Sequence, residues 1–564
     1  MGTLSSMTQR AKVFLSSRRG RNLREYLTAY SMITPAMVLI FTFGIFPVLF
    51  AVYVSLHKWK IKKGDFLGLT NFTKAVDSLA YLLFFALALG LIFFAVKAFM
   101  NVSKLAREHK ERPWLILIPA ALYSATALLF TRYATLLLPE ILSIAEKVLR
   151  VERTRELFVQ LLGEAFKAEL VMTAFWQCLA AFGLGIVTNA VIGRIYRSPR
   201  RTEYLGQFLV GTFFITTSVI VTWFTITEIL KAIQDALEEG TEVNIGAQIV
   251  IIAAGVLVLF LAWKLWNRAV KSESNSALVT FGIGALILIV VGWFLIAEVL
   301  PVINTVKEAG DKDLWQGLLV TVYYAAGTIP IQLSIALVLA YMLFQNVRGK
   351  EFFRILFFMP YVTPAVASAV VFNLIFGSRA SSPVNALIKL LGGEHQKWLL
   401  EPRGVFTLIG GYLGIDIPSW AAGQSLALVV IIIYSIWTYV GYDTVIYLAG
   451  LGNISNEINE AAEIDGASRW QIFRYITLPL LSPTTYFLSL IAVIGTFKAF
   501  NHIWVLRHPM ALGAVDTFSV AIFDEFFTKS RFGYASAMAF VLFAIILALT
   551  YVNNRIQGER VFYG

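Results

Sequence analysis

Glu457, Glu460 and Glu463 recur at intervals of three, just ahead of Asp465-Gly466. On a helix that spacing lines the carboxylates along one side, while Ile454, Ile458, Ala461 and Ile464 share an apolar face. The chemistry on offer is recognition rather than bond-making: a short, charged and sticky helix can lie in a groove of a partner protein. Ser455 is placed to cap its start, and glutamates early in a helix suit its positive N-terminus. Asp465-Gly466 then predicts a turn, since glycine tolerates the left-handed backbone. A second helix follows, with Trp470, Phe473 and Ile476 spaced by three, and Leu478-Pro479 leads into the next apolar run. The competing reading is an interfacial helix resting on lipid, with Trp470 and Phe473 at the headgroups.

Residues that could support catalysis are not arranged for it. His57, His109, His395, His502 and His508 show no ligand spacing on a common helix face, which argues against a metal site. No Ser-His-Asp or Gly-x-Ser-x-Gly arrangement points to hydrolysis. Gly349-Lys350 lacks both the earlier glycine and the following hydroxyl residue of a phosphate-binding loop, so the chain is not expected to hydrolyse ATP. The single cysteine, Cys178, lies in an apolar run and excludes a disulfide framework. Glu228 sits near the end of the apolar run VTWFTITEIL, where water or a local partner would satisfy it.

The elements that hold the glutamate-rich stretch are greasy. The chain has 564 residues, 58% hydrophobic and 15% charged, with a mean hydropathy of +0.72. Soluble domains average nearer 45–50% apolar. Apolar runs of roughly 20 residues recur, each long enough for a helix to cross a bilayer. Period-two alternation in short segments, the mark of a membrane β-barrel, is absent. The expectation is an all-α polytopic membrane protein with about twelve transmembrane helices. They fall near 33–56, 79–99, 114–131, 170–192, 205–230, 247–266, 278–300, 316–344, 353–376, 424–450, 477–500 and 533–553.

The net charge of +12 reads as loop charge, not as nucleic-acid binding. Residues 1–29, carrying Arg10, Lys12, Arg18, Arg19, Arg21 and Arg24, read as a cytosolic basic tail and not as a signal peptide. With that tail inside, the basic connections fall inside as well: Lys104 to Arg112, Arg194 to Arg201, Arg268 and Lys271, Arg348 to Arg354, Arg469 and Arg474. The loop with Lys58, Lys60, Lys62 and Lys63 runs against the trend. Both termini and the 451–480 loop are then expected in the cytoplasm. Of the outside segments, 132–169 reads as an amphipathic surface helix, with Ile141, Ile144, Ala145 and Val148 at helical spacing. Residues 377–423, rich in Gly and Pro, read as a folded loop with a short re-entrant piece.

EAA-x-x-DGA followed by F-x-x-I-x-LP-x-L resembles the coupling loop of ATP-binding-cassette importer permeases. The matching residues are Glu460, Ala461, Ala462, Asp465, Gly466, Ala467, Phe473, Ile476, Leu478, Pro479 and Leu481. GLTNF at 68–72, RGKEFFRILFFMPYVTPAV at 348–366, LAGLGNI at 448–454, FKAFNHIWVL at 497–506 and GYASAMAF at 533–540 are similar to the maltose-type sugar permeases. The resemblance covers about 30–72 and 314–564, roughly half the chain. It implies a type I importer permease core and partners: a second permease subunit, two cytosolic ATPase subunits that bind ATP and Mg, and an extracytoplasmic solute-binding protein, all at the inner membrane. No cofactor is expected in this chain.

By the same resemblance Glu460 contacts the ATPase and Gly466 supplies the turn. A mono- or oligosaccharide would pass between the spans on either side of the loop, along Ser435, Thr438, Tyr439, Tyr442, Gly495, Lys498, Asn501 and His502. Tyrosine rings can stack on a sugar's apolar face while Ser, Thr, Asn and His bond its hydroxyls. Lys498 could instead pair with Asp443 or face an anionic substrate. The alternative class, an ion-coupled secondary transporter, calls for buried acid pairs and internal repeats, neither of which is evident.

The chain departs from the family in one large respect. Residues 73–313, with about six expected spans, interrupt the core between 30–72 and 314–564. Six is even, so the later core keeps its orientation. A Gly-rich turn usual after the post-loop span is replaced by RHPMALGAV at 507–515.

Overall fold

The computed structural model describes residues 18–60, 63–148, 154–238, 248, 250–255, 297, 299, 301–302, 305, 308, 310–345, 348–418 and 421–557. Among them, eight helices are long and apolar enough to cross a membrane, and two bent helix pairs would raise the number to ten. Helices are what such runs must form, because hydrocarbon offers no partner to an unpaired backbone N–H or C=O. The chain is an all-α polytopic membrane protein. The spans expected near 247–266 and 278–300 lie outside the described residues, apart from short fragments.

Contacts gather the chain into two compact units, residues 1–68 with 88–220, and residues 69–87 with 221–564. This division follows contact, whereas the 73–313 block follows sequence likeness. In the first unit, α1 (Arg18–Ile40) continues through a π-helical turn at Phe41–Ile45 into α2 (Phe46–Ser55). From Arg18 on, part of the segment read as a basic tail is therefore helical. An antiparallel hairpin follows, β1 (His57–Trp59) and β2 (Lys63–Phe66), which gathers Lys58 and Lys63 onto one short ribbon.

Among the described residues, helices α4 (Leu79–Glu108), α5 (Leu117–Lys147), α7 (Glu169–Ile195) and α8 (Arg201–Glu238) are the long helices of the inserted region, with α3 (Thr70–Val76) ahead of them and α6 (Arg155–Lys167) between α5 and α7. Val102, Ile116, Ile192, Tyr204 and Phe208 form a buried cluster in the first unit. Ser124 Oγ and Thr212 Oγ1 lie 2.6 Å apart in its interior, and Ser218 Oγ donates to the Ala88 carbonyl. The expected surface helix at 141–148 is the last part of α5, which runs on to Lys147 without a break despite Pro139. The separate amphipathic helix of this region is α6, capped by Thr154. Cys178 is half-buried with its Sγ near the Thr126 carbonyl.

The second unit is built on α9 (Lys312–Phe344) and α14 (Leu426–Gly452), which pack against each other. In α14, 67% of the span is buried, against 6–28% in the other seven. Its carboxyl half is covered by α10 (Lys350–Val362), and α11 (Ala365–Ile375) departs from α10 at 95°. The expected single span at 353–376 is thus broken. The cause is local: Pro364 pushes Thr363 into extended backbone, ψ 134°, and a helix cannot continue through it. The loop that follows folds into two short helices, α12 (Pro383–Leu390) and α13 (Val405–Leu413). Beyond α14 come α15 (Asn456–Ile464), α16 (Arg469–Ile472), a π-helical turn, α17 (Leu478–Leu480) and α18 (Ser482–Phe497), with a 60° bend before α18. Then α19 (Asn501–Leu506), α20 (Phe518–Phe523) and the final span α21 (Phe532–Gln557) close the unit. Glu228 accepts a hydrogen bond from the Leu69 N–H at 3.0 Å, so its partner is a backbone group far away in sequence.

Candidate functional site

Two places in the second unit carry the residues singled out in sequence. The first is the 451–480 loop. Ser455 caps α15 by accepting from the Glu457 N–H, which fixes the start of the helix. The end is a Schellman turn. The Gly466 N–H donates to the Glu463 carbonyl and the Ala467 N–H to the Ala462 carbonyl, with Gly466 at φ +81°. A side chain at 466 would meet no neighbour within 4 Å, so backbone conformation alone demands glycine there. Ser468 and Gln471 then form a reciprocal capping box that starts α16.

The product is a bent hairpin of two short helices. Glu460, Ala461, Asp465 and Gly466 are exposed, and Ala462 and Ala467 are half-buried. Ile464 is 86% exposed and Trp470 is 65% exposed. Phe473 packs edge-on against Tyr341 of α9 at 4.8 Å and anchors the base of the hairpin, while Trp470 stacks on Phe473 from outside. An apolar tip held out by well-capped helices is a surface made for contact.

The second place is a cavity of about 120 Å³ among α9, α10, α14 and α18. Tyr361, Tyr439 and Tyr442 form an aromatic group on its wall. Tyr361 stacks on Tyr442 and meets Tyr439 edge-on at 5.9 Å. Gly441 allows this. A Cβ at 441 would run into the Phe357 carbonyl of α10, so the two helices touch backbone to backbone. Opposite, Gln332 Nε2 donates to Asp443 Oδ2 at 2.6 Å, tying α9 to α14. Both side chains are buried.

Tyr324 and His502, which also line the cavity, belong to a polar knot. Tyr324 Oη is 2.5 Å from Ser435 Oγ and 3.1 Å from His502 Nε2, and Ser435 Oγ is 3.3 Å from the same nitrogen. The His502 ring stacks on Tyr434, whose hydroxyl is bonded to Ser368 of α11 at 2.7 Å. Four helices are thereby joined by buried, mutually satisfied polar groups, the arrangement that rigidifies a core.

Of the residues singled out, Tyr439, Tyr442, Gly495 and His502 line the cavity. Ser435 is fully buried and spends its hydroxyl on Tyr324 and His502. Thr438 is buried and donates to the Tyr434 carbonyl. Lys498 is exposed at the C-cap of α18, and Asn501 is exposed at the first position of α19. Asp443 is held by Gln332, not by Lys498. Tyr361, Thr328, Gln332 and Thr496 also line the cavity and were not singled out. A polar side chain inside an apolar run was a usable signal for Gln332. Among the described residues, no group of three or more His, Cys, Asp or Glu side chains could hold a metal ion.

Chemically, the wall offers ring faces, an amide, a carboxylate and hydroxyls, a mixture suited to a ligand with many hydroxyl groups. The cavity is small beside the ~300–1,000 Å³ of typical ligand sites.

In the loop between α11 and α14, Glu401 is paired with Arg403, Nε to Oε1 at 2.8 Å. The hydrogen bond from the Arg403 guanidinium holds the Glu401 carboxyl below its ordinary value, against the opposing effect of burial.

Residues 332–561 match the family described as binding-protein-dependent transport system inner membrane component. The probable ABC transporter permease protein YesP of Bacillus subtilis is 32% identical over 258 residues, 45% of this chain and 75% of the relative. The lactose transport system permease protein LacF of Rhizobium radiobacter is 29% identical, over 46% of this chain and 80% of the relative. A crystal structure of a bacterial alginate ABC transporter in complex with an alginate pentasaccharide-bound periplasmic protein contains a chain that aligns with 50% of this one. That alignment covers 96% of the other chain, with 21% identity and a TM-score of 0.39.

Proposed function

The chain belongs to the family of binding-protein-dependent transport system inner membrane components, and from that premise we propose that it is the membrane permease subunit of an ATP-driven saccharide importer. The observation that carries the mechanical part is the exposed hairpin from Asn456 to Ile472. Its caps and its Schellman turn keep it rigid, and its apolar tip is left uncovered by the other described residues. A rigid knob can transmit a push, which a flexible loop cannot. ATPase subunits in the cytoplasm bind ATP and Mg, grip the knob around Glu460 and Gly466, and move α14 and α18 through the short helices that join them. The cavity between those helices then opens alternately to either side. This places the hairpin and both termini in the cytoplasm, in keeping with Arg469 and Arg474 beside the hairpin.

Saccharide as the cargo class is supported by the sugar named for the LacF relative and by the tyrosine-rich cavity. Tyr439 and Tyr442 with Tyr361 provide stacking surface, and Gly495 leaves open space where it lines the cavity. Ser435 and His502 act as the floor that holds the cavity in shape. A second permease subunit completes the path, and an extracytoplasmic binding protein delivers the substrate.

Isolation of the tagged chain from its native membrane tests the reading. Co-purification of an ATPase subunit whose hydrolysis is stimulated by a saccharide-loaded binding protein is the expected result. A chain that purifies alone and moves a solute on an ion gradient would refute it.

A further inference from the structure

Asp443 lies in the middle of α14, 3% exposed, on the wall of the tyrosine-lined cavity. A carboxylate at that depth is costly and is kept where it has work to do. Gln332 takes one of its oxygens, Oδ2, and leaves Oδ1 without a bonded donor among the described residues. No lysine or arginine among them lines the cavity. The wall therefore presents a carboxyl oxygen with no basic side chain in the cavity lining, beside three tyrosine rings.

We propose that Asp443 makes this cavity selective for uncharged, polyhydroxylated substrates and against anionic ones such as uronates or phosphorylated sugars. The inference rests on the saccharide-import reading above. A sugar hydroxyl can donate to the free oxygen and satisfy it, a charge-assisted bond stronger than one between neutral groups. A substrate carboxylate or phosphate brings no proton to donate and meets like charge in a water-poor site. The amide of Gln332 has already given one of its N–H groups to Asp443, which leaves little to hold a second anion.

The test uses the transporter in its native membrane with its own partners. It is offered labelled neutral gluco-, galacto- and arabino-trisaccharides, uronate trisaccharides of equal length, and choline. Wild type is expected to import a neutral trisaccharide with a kcat/KM at least about tenfold above that for any uronate. Asp443→Asn should cut that preference about tenfold or more, and Asp443→Glu, which keeps the charge, should retain most of it. An unchanged preference in Asp443→Asn overturns the proposal, as does a wild-type preference for uronates or for choline. If Asp443→Asn fails to accumulate, the wild-type preference and Asp443→Glu decide. Import of none of the saccharides by wild type refutes the saccharide reading itself, an outcome separate from the loss of selectivity.

Discussion

The ring of Tyr361 lies on that of Tyr442 with centroids 4.6 Å apart and planes at 25°. One tyrosine comes from α10 and the other from α14, and they meet because Gly441 lets the Phe357 carbonyl of α10 sit against the α14 backbone. The aromatic wall of the cavity is thus a consequence of a missing side chain one residue away.

Gly441→Val should therefore act at a distance of one residue. The added branches force α10 away from α14, a cost of about 1–3 kcal/mol for overpacking. The expected outcome is a lower unfolding temperature of the detergent-solubilised chain together with transport reduced about tenfold. A Gly441→Val protein as stable and active as wild type would show that the two helices do not depend on this contact.

Tyr442→Ala removes one partner of the stack and leaves the helix contact intact. Substrate affinity should fall by about 1 kcal/mol, the worth of an aromatic pair, which is roughly fivefold in KM. Assembly with partner subunits, followed by co-purification, should be unaltered. Unchanged transport kinetics would remove Tyr442 from the path.

Ser435→Ala distinguishes a supporting residue from a substrate ligand. Tyr324 and His502 retain each other at 3.1 Å when Ser435 Oγ is lost. A stability loss of about 1 kcal/mol is expected, with KM within twofold of wild type. A large rise in KM with full stability would make Ser435 a direct ligand.

Gly466→Val strains the turn between α15 and α16. A β-branched residue in the left-handed region costs roughly 1–2 kcal/mol, and nothing packs nearby to compensate. ATP-dependent transport is expected to drop at least tenfold while membrane insertion and unfolding temperature of the spans stay as they are. Gly466→Asn, which tolerates that region, should keep much of the activity. Full transport by the Val variant would argue that the hairpin bears no force.

The Glu401–Arg403 pair predicts a pH response in the loop between α11 and α14. Because the Glu401 carboxyl is held below its ordinary value of 4.5, the unfolded loop binds the proton more readily. The stabilisation is then full above pH 4.5 and is lost as pH falls through the lower, folded value. Limited proteolysis of this loop should accelerate over that range in wild type and show a flatter profile in Arg403→Ala. Identical profiles in the two proteins would dismiss the pair as a stabilising contact.

The primary structure by itself determined the class of protein, the place of most spans and the shape of the hairpin at 455–472. Those are local properties. Run length decides what can cross a bilayer, and Ser455, Gly466 and Ser468 carry their capping and turning chemistry within a few residues. Tertiary structure decided which polar side chains face a common cavity. Helix α14 is apolar nearly all round, so its sequence carries no periodic stripe to mark an inner face. Only packing shows that Tyr442 and Asp443 meet Tyr361 and Gln332 while Ser435 is sealed against Tyr324. The 95° break at Pro364 is itself local, but where it puts α10 is settled by the close approach at Gly441, which joins groups from separate stretches of the chain.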